Sequence, residues 1–300
     1  MTKIYTLFII LLSLSIGHAW GENLKVMSFN IRFNNPKDTA DNSWEARKMP
    51  CAKMFREVQP DVIGMQEPRG DKQITDIKAM LADYTSIETV VPEGFNVDKA
   101  GRIMLFFKTD KFRLKKHGQF WLNNDTSKPA PSFETTDKNN LRAALWMKLQ
   151  DKASGKVFYF VTTHFPYKQS AADNTAREKC SALIVSQMKK IAGEKATVFV
   201  TGDLNSSFDP EDSHRLSIRP FYEWMNTARE MARQTDASST FNGFKVQSSK
   251  FKAETDTKPK VLDHIFYRNA EPQTFKVIND TTFGVRLISD HYPIVSEFKY

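Results

Sequence analysis

Residues able to bind metal or move protons recur where apolar runs of this chain end. Asn30 follows Val26-Met27-Ser28-Phe29, and Glu67 follows Val62-Ile63-Gly64-Met65-Gln66. His164 follows Phe158-Tyr159-Phe160-Val161-Thr162-Thr163, and Asp203 with Asn205 follows Thr197 to Gly202. Asp263-His264 and Asp290-His291 stand at further strand boundaries. One such residue alone is ordinarily a cap or a turn former. Repeated carboxylates, amides and imidazoles at strand ends imply that several strands deliver them to one place. Asn, Asp and Glu oxygens are hard ligands that suit Mg2+, and also Mn2+ or Ca2+. Histidines without thiolates could hold zinc, but can equally move protons or contact phosphate oxygens. A hard cation, carboxylates and imidazole together suit phosphoester hydrolysis. The cation offsets phosphate charge, a carboxylate aligns water, and imidazole assists proton movement.

The elements that must position these groups follow from periodicity. Apolar runs predict strands over Leu24–Ile31, Asp61–Gln66, Arg102–Lys108, Phe112–Trp121, Leu141–Leu149, Lys156–His164, Thr197–Gly202, Val261–Tyr267 and Tyr292–Phe298. Ser43 is placed to cap a helix running to Val58, which Gln59-Pro60 stops. Further helices are expected over Asp71–Leu81 and Asp173–Ile191. The stretch Asn123–Asn140 is polar and Pro-bearing, hence a loop. Arg229–Lys260 is mostly polar loop around an apolar island at Phe241–Phe244. No Gly/Ser tract or short repeat divides the chain, so residues 24–300 are expected to form one α/β domain on packed sheets. His264 alternates with Asp263 in its strand and should point to the opposite face, in a structural role.

Composition bounds the rest. The chain has 300 residues, with 43 Lys and Arg against 35 Asp and Glu, a formal net charge of +8. That surplus attracts anions, but it is spread along the chain as an ordinary solvated surface would be. It permits a polyanionic substrate without naming one. Met1-Thr2-Lys3, an apolar run from Ile4 to Ile16 and then Gly17-His18-Ala19 fit a secretory signal peptide over residues 1–19. The run is short for a membrane anchor and has no basic stop-transfer cluster after it. The mature chain is therefore expected in the periplasm or outside the cell, as a monomer without a stable membrane span. Export permits a disulfide between Cys51 and Cys180, but two buried thiols fit their amphipathic settings better.

The ordered motifs resemble the endonuclease/exonuclease/phosphatase superfamily. Val26-Met27-Ser28-Phe29-Asn30-Ile31-Arg32 is similar to its opening strand, and Asp61-Val62-Ile63-Gly64-Met65-Gln66-Glu67 to its second motif. Thr163-His164-Phe165, Gly202-Asp203-Leu204-Asn205, Leu262-Asp263-His264-Ile265 and Ser289-Asp290-His291-Tyr292-Pro293 are similar to the rest, in family order. Asn42-Ser43-Trp44-Glu45, Phe120-Trp121-Leu122 and Thr240-Phe241-Asn242-Gly243-Phe244 resemble a branch common among exported bacterial members. The resemblance spans essentially the whole mature chain.

It implies a four-layer α/β sandwich, two packed and mostly antiparallel β-sheets flanked by helices. It implies metal ligation by Asn30, Glu67 and Asp290, with Mg2+ first among the candidate cations. It implies that Asp203 orients or deprotonates the attacking water and that Asn205 holds phosphate or water. His291 would contact the scissile phosphate with Asp263 orienting its ring. His164 would contact phosphate or protonate the leaving oxygen. Two departures bear on His164. Pro166-Tyr167 follow Thr-His-Phe where many relatives have Asp-His. Gly101 or Arg102 stands near the place where many relatives carry a Glu that pairs with this histidine. Trp121 and Phe241 fit either a substrate cleft or the core, and Arg142 either phosphate binding or a surface or strand-pairing role.

The activity implied is hydrolysis of a phosphoester. The substrate would be nucleic acid, a phosphorylated sugar or inositol, or a phospholipid head group. A non-catalytic ligand-binding protein on the same fold is the competing reading, and the missing Glu is the feature that favours it.

Overall fold

The computed structural model describes residues 23–95, 101–139, 141–206, 216–245 and 259–300. The expected signal peptide, residues 1–19, lies outside them, as do parts of the loops 92–100 and 229–260. Among the described residues there are thirteen strands: β1 Asn23–Asn30, β2 Val62–Gln66, β3 Tyr84–Glu88, β4 Ile103–Lys108, β5 Phe112–Trp121, β6 Ala143–Asp151, β7 Val157–His164, β8 Val198–Asp203, β9 Asn226–Thr227, β10 Gln234–Thr235, β11 Asp263–Arg268, β12 Glu271–Val277 and β13 Ile294–Lys299. The helices are α1 Trp44–Val58, α2 Asp71–Met80, α3 Ala171–Ala192, α4 Arg219–Trp224 and α5 Ala228–Met231. One sheet has the order β10-β12-β13-β1-β2-β4-β3 and the other β5-β6-β7-β8-β11-β9. Most neighbouring strands are antiparallel, while β1–β2, β7–β8 and β10–β12 run parallel.

The period of two along each strand builds four layers. Leu24 and Val26 of β1, Val62 of β2 and Leu105 of β4 meet Leu145, Phe160, Phe199 and Ile265 of the second sheet in one core between the sheets. The alternate residues Met27, Phe29, Ile63, Met65 and Phe106 pack outward against Trp44, Met54 and Phe55 of α1 and Ile74 and Ile77 of α2. On the other side Val161, Val200 and Phe266 pack against Cys180, Ile184 and Met188 of α3 and Phe221 of α4. The result is the α/β sandwich expected from the sequence. Among the described residues, no helix is long and apolar enough to cross a membrane. Both thiols are buried and free.

Several elements escape the periodicity reading. β3 and β12 lie where no strand is expected, because β3 is only partly buried and the alternation of β12 is broken by a register shift between Pro272 and Thr274. α4 and α5 are too short to show a helical period. The last strand begins at Ile294, since Tyr292 and Pro293 are still loop.

Toward one end, the inter-sheet face changes from apolar to polar. Beyond Val26, Val62, Phe160 and Phe199 come Ser28, Gly64, Thr162 and Thr201 on the same face. The Gln66 amide donates to Thr162 Oγ1 at 2.9 Å and to Ser28 Oγ at 3.4 Å, lacing the sheets together. A Cβ on Gly64 would stand 2.1 Å from Thr201 Oγ1 and 2.6 Å from Thr162 Oγ1. Gly64→Ala must therefore push the sheets apart or rotate both threonines. Overpacking of this kind costs about 1–3 kcal/mol. The urea midpoint of Gly64→Ala should fall accordingly, and an unchanged midpoint would show that the layer has slack.

Candidate active site

The next residues outward on these strands are Asn30, His164, Asp203 and Asp263. Register brings them together: His164 is level with Asp203 on β7 and β8, and Asp263 is level with Asp203 on β11 and β8. Asn30 arrives from the other sheet, and its amide donates to Asp203 Oδ2 at 3.0 Å. All four side chains are buried.

A second group lies beside them. The chain leaves β1 and β2 through left-handed residues, Arg32 at φ 57° and Glu67 at φ 65°, conformations that cost energy for non-glycine residues. Asn30 Oδ1 accepts the Arg32 backbone N–H at 3.1 Å, and Glu67 Oε2 accepts that of Phe33 at 3.4 Å. Arg32 Nη1 lies 3.4 Å from Asp290 Oδ2. Ser289 Oγ donates to the Asn30 carbonyl at 2.7 Å, tying the Asp290 loop to the end of β1. Asn30, Glu67 and Asp290, distant in sequence, thus share one corner. Burial and the neighbouring Glu67 charge raise the Asp290 carboxyl above its usual range, against the pull of His291, Arg32 and Arg47. Arg32 offsets part of the charge of this corner, and its oxygen donors are of the kind that a hard divalent cation takes.

Two buried residues that the sequence reading passed over hold this corner. Arg47 of α1 donates to the carbonyls of Ile31 at 2.8 Å, Ile288 at 3.0 Å, Arg32 at 3.3 Å and Asn42 at 2.7 Å. Gln73 of α2 donates to the Arg32 carbonyl and accepts from the backbone N–H groups of Asn34 and Arg69. Each is a polar residue on the buried face of a helix, a placement that names no partner in the sequence.

The histidines occupy opposite electrostatic settings. Burial opposes a charge on His291, but Asp263 and Asp203 outweigh it and push its pKa up to about 10. Its Nδ1 lies 2.8 Å from Asp263 Oδ2 and its Nε2 3.6 Å from Asp203 Oδ2. His164 Nε2 lies 3.3 Å from Asp203 Oδ2. Burial and the positive fields of Arg142, His291 and Arg69 nonetheless pull its pKa well below the usual histidine range. His164 Nδ1 is buried without a hydrogen-bond partner. Burial pushes Asp203 up to about 7, countered by His291 and reinforced by Asp263. Donor atoms of Asp203, Asp263 and His291 lie within 4.8 Å of one another, close enough to suggest a metal site. The trio combines two carboxylates and an imidazole suited to proton handling, while the oxygen donors of Asn30, Glu67 and Asp290 suit a hard cation.

The remaining candidates divide. Asn205, left-handed at φ 48°, donates its amide to the Phe165 carbonyl at 3.1 Å and its backbone N–H to Asp203 Oδ1 at 3.0 Å, so it braces the site floor. His264 faces away, 2.8 Å from the Ser206 carbonyl and stacked beside Phe266. Trp121 is buried with Leu141 and Ala143. Phe241 packs edge-on to His291 with ring centroids 4.8 Å apart. Arg142 is buried close to the acids of the site rather than at the surface, and its carbonyl accepts the Leu122 backbone N–H at 2.8 Å, which extends the β5–β6 pairing.

Residues 27–291 match the model of the Endonuclease/Exonuclease/phosphatase family. The chain belongs to this family. An endonuclease/exonuclease/phosphatase of Bacteroides vulgatus is similar over 92% of this chain and 98% of its own, at 27% identity and a TM-score of 0.75. A mannosyl-6-phosphatase of Bacteroides thetaiotaomicron is similar over 92% of this chain and 100% of its own, at 25% identity and a TM-score of 0.75. An uncharacterized protein of Acanthamoeba polyphaga mimivirus is 24% identical over 82% of this chain, which spans only 40% of that protein's length. Endonuclease/exonuclease/phosphatase proteins are phosphoesterases, and this chain carries polar groups suited to that chemistry at one end of the sandwich.

The charge on His291 depends on Asp263. In Asp263→Asn one of the two stabilising carboxylates is gone, and the His291 pKa should drop from about 10 toward the usual histidine range. NMR titration of the imidazole Cε1–H, without added metal, checks this. An unmoved pKa would mean that Asp203 alone sets it.

Proposed function

We propose that this chain is an exported, divalent-cation-dependent phosphoester hydrolase. The observation that carries the reading is the joining of an oxygen-donor corner to a proton-handling pair through one hydrogen bond, Asn30 to Asp203. Asn30, Glu67 and Asp290 would hold the cation, Mg2+ before Mn2+ or Ca2+. When bound it would supply positive charge that polarises phosphate. Asp203 orients the attacking water and takes its proton, for which a pKa near 7 is well matched. Asn205 fixes the Asp203 carboxylate and presents its remaining polar atoms to water or phosphate. His291, charged and held by Asp263, donates to a phosphoryl oxygen. His164, held neutral, donates an N–H to phosphate or to the leaving oxygen. Met1-Thr2-Lys3 with the apolar run to Ile16 supports export. Among the substrate classes open to the site, a phosphorylated sugar gains support from the mannosyl-6-phosphatase likeness. Binding without turnover is the competing reading.

Magnesium-dependent release of nitrophenolate from p-nitrophenyl phosphate or its bis-ester separates the two readings, and chelation should abolish that release. Glu67→Gln removes a ligand charge and keeps its shape. Its deficit should shrink as magnesium is raised. A deficit indifferent to magnesium would place Glu67 outside the cation corner.

The histidines should be unequal. General acid or base assistance is worth about 100- to 10,000-fold. His291→Ala should lose activity toward the upper part of that range, because its ring is fixed before substrate arrives. His164→Ala should lose less, having no partner at Nδ1. The comparison is made in kcat at saturating magnesium on folded variants. A larger loss for His164→Ala would overturn the ranking.

A further inference from the structure

Asp263 opens β11, and His291 stands in the loop before β13. Their 2.8 Å contact is the one side-chain hydrogen bond that Asp263 makes among the described residues, and its Oδ1 is buried without a partner. A carboxylate held by a single hydrogen bond takes its direction from its own backbone. On one side that backbone pairs with β8. On the other, β9 pairs only with Phe266 and Tyr267, so no described strand borders β11 at Asp263. Thr240 stands there instead, and it is fully buried. Its Oγ1 accepts the backbone N–H of Asp263 at 3.1 Å and that of Leu262 at 2.9 Å. Its carbonyl accepts the N–H of Tyr292, next to His291, at 2.7 Å. The following residues extend this grip. Phe241 and His291 form an isolated antiparallel bridge, and the Asn242 N–H donates to the Asp290 carbonyl at 2.9 Å. One residue thus holds Asp263 by its side chain and the His291 segment by its backbone.

We propose that Thr240 is a positioning residue that sets the geometry between Asp263 and His291 and acts on turnover only through that pair. The proposal rests on the hydrolase reading above. Thr240→Val keeps the branched shape and removes the acceptor. Two buried backbone N–H groups are then left unpaired, at the cost of their desolvation. The start of β11 relieves that cost by shifting, and it carries the Asp263 carboxylate with it. The backbone bonds of Thr240 to the His291 segment survive the substitution. The two halves of the pair therefore move relative to each other.

The test uses the purified protein at saturating magnesium, with p-nitrophenyl phosphate and bis(p-nitrophenyl) phosphate as substrates. A misplacement of about 1 Å can cost about 100-fold in rate. Thr240→Val should lower kcat toward that extent with little change in KM. Thr240→Ser keeps the hydroxyl and should recover most of the loss. In an Asp263→Ala background Thr240→Val should lower kcat no further, because the group it positions is gone. A readout independent of turnover is the His291 Nδ1 proton, followed by NMR without added metal. In the hydrogen bond to Asp263 it resonates far downfield, and in Thr240→Val it should move upfield or exchange away. The Tm of Thr240→Val should also fall. If that variant does not fold, Thr240→Ala replaces it, since its smaller side chain leaves room for a water at the two N–H groups. A lower Tm with kcat and the downfield proton both unchanged would make Thr240 purely structural and overturn the proposal. A full further loss in the Asp263→Ala background would also overturn it. If the parent chain hydrolyses neither ester, the hydrolase reading fails, and the downfield proton alone decides the positioning role.

Discussion

The hydrogen bond from Asn30 to Asp203 joins the two sheets at the point where their chemistry meets. Asn30 is the last residue of a strand in one sheet and Asp203 the last of a strand in the other. The contact exists only if both strands end at the same height and the sheets pack closely beneath it. Gly64 permits the close approach, and the Gln66 amide nitrogen donates to Ser28 and Thr162 in the layer below. Each strand on this face runs from large apolar residues through small polar ones to an ionisable or amide group. The apolar length fixes the sandwich, and the polar layer allows buried charge near its end without leaving unpaired groups deep in the core.

Burial then sorts the titratable groups. In water Asp203, Asp290, His164 and His291 would differ by only a few pKa units. Here burial and neighbouring charge leave His291 charged and His164 neutral, with Asp203 near 7 and Asp290 raised. Two imidazoles beside the same carboxylate therefore carry different protons. The difference comes from Asp263, which contacts His291 alone, and from the positive fields of Arg142 and Arg69 acting on His164. Acid and base roles are assigned by such separations.

The sequence made the frame and the reactive residues legible for one physical reason. A strand with one face in a core alternates, and a polar residue at the end of an alternating run is visible without coordinates. Asn30, His164 and Asp203 were found this way, and so was the outward orientation of His264. A partly buried strand such as β3 carries no such contrast, and β12 breaks its alternation at a register shift. The braces were hidden for another reason. Arg47 and Gln73 act through backbone carbonyls and N–H groups, so no partner side chain in the sequence announces them. Arg142 was visible as a residue, but its burial depends on Gly101, about 40 positions earlier. Only the packing of two loops brings them together.

The groups left without partners are informative as a set. At this end of the sandwich Arg142 Nε, His164 Nδ1, Asp263 Oδ1 and Gln66 Oε1 are buried and unsatisfied, as are Ser132 Oγ and Arg177 Nε, and of the four at this end only the nitrogens can donate to an anion. A stability-optimised interior would pair or remove them. A site that must receive an anion has the opposite requirement. Donors already satisfied by protein acceptors would have to break those bonds to hold a ligand. Donors held open by surrounding backbone need no rearrangement, which is the basis of electrostatic preorganisation. The left-handed turns at Arg32, Glu67 and Asn205 add backbone strain at the same end. The extensive apolar core between the sheets and beneath the helices offsets these costs, so the fold can keep one end under-satisfied for chemistry.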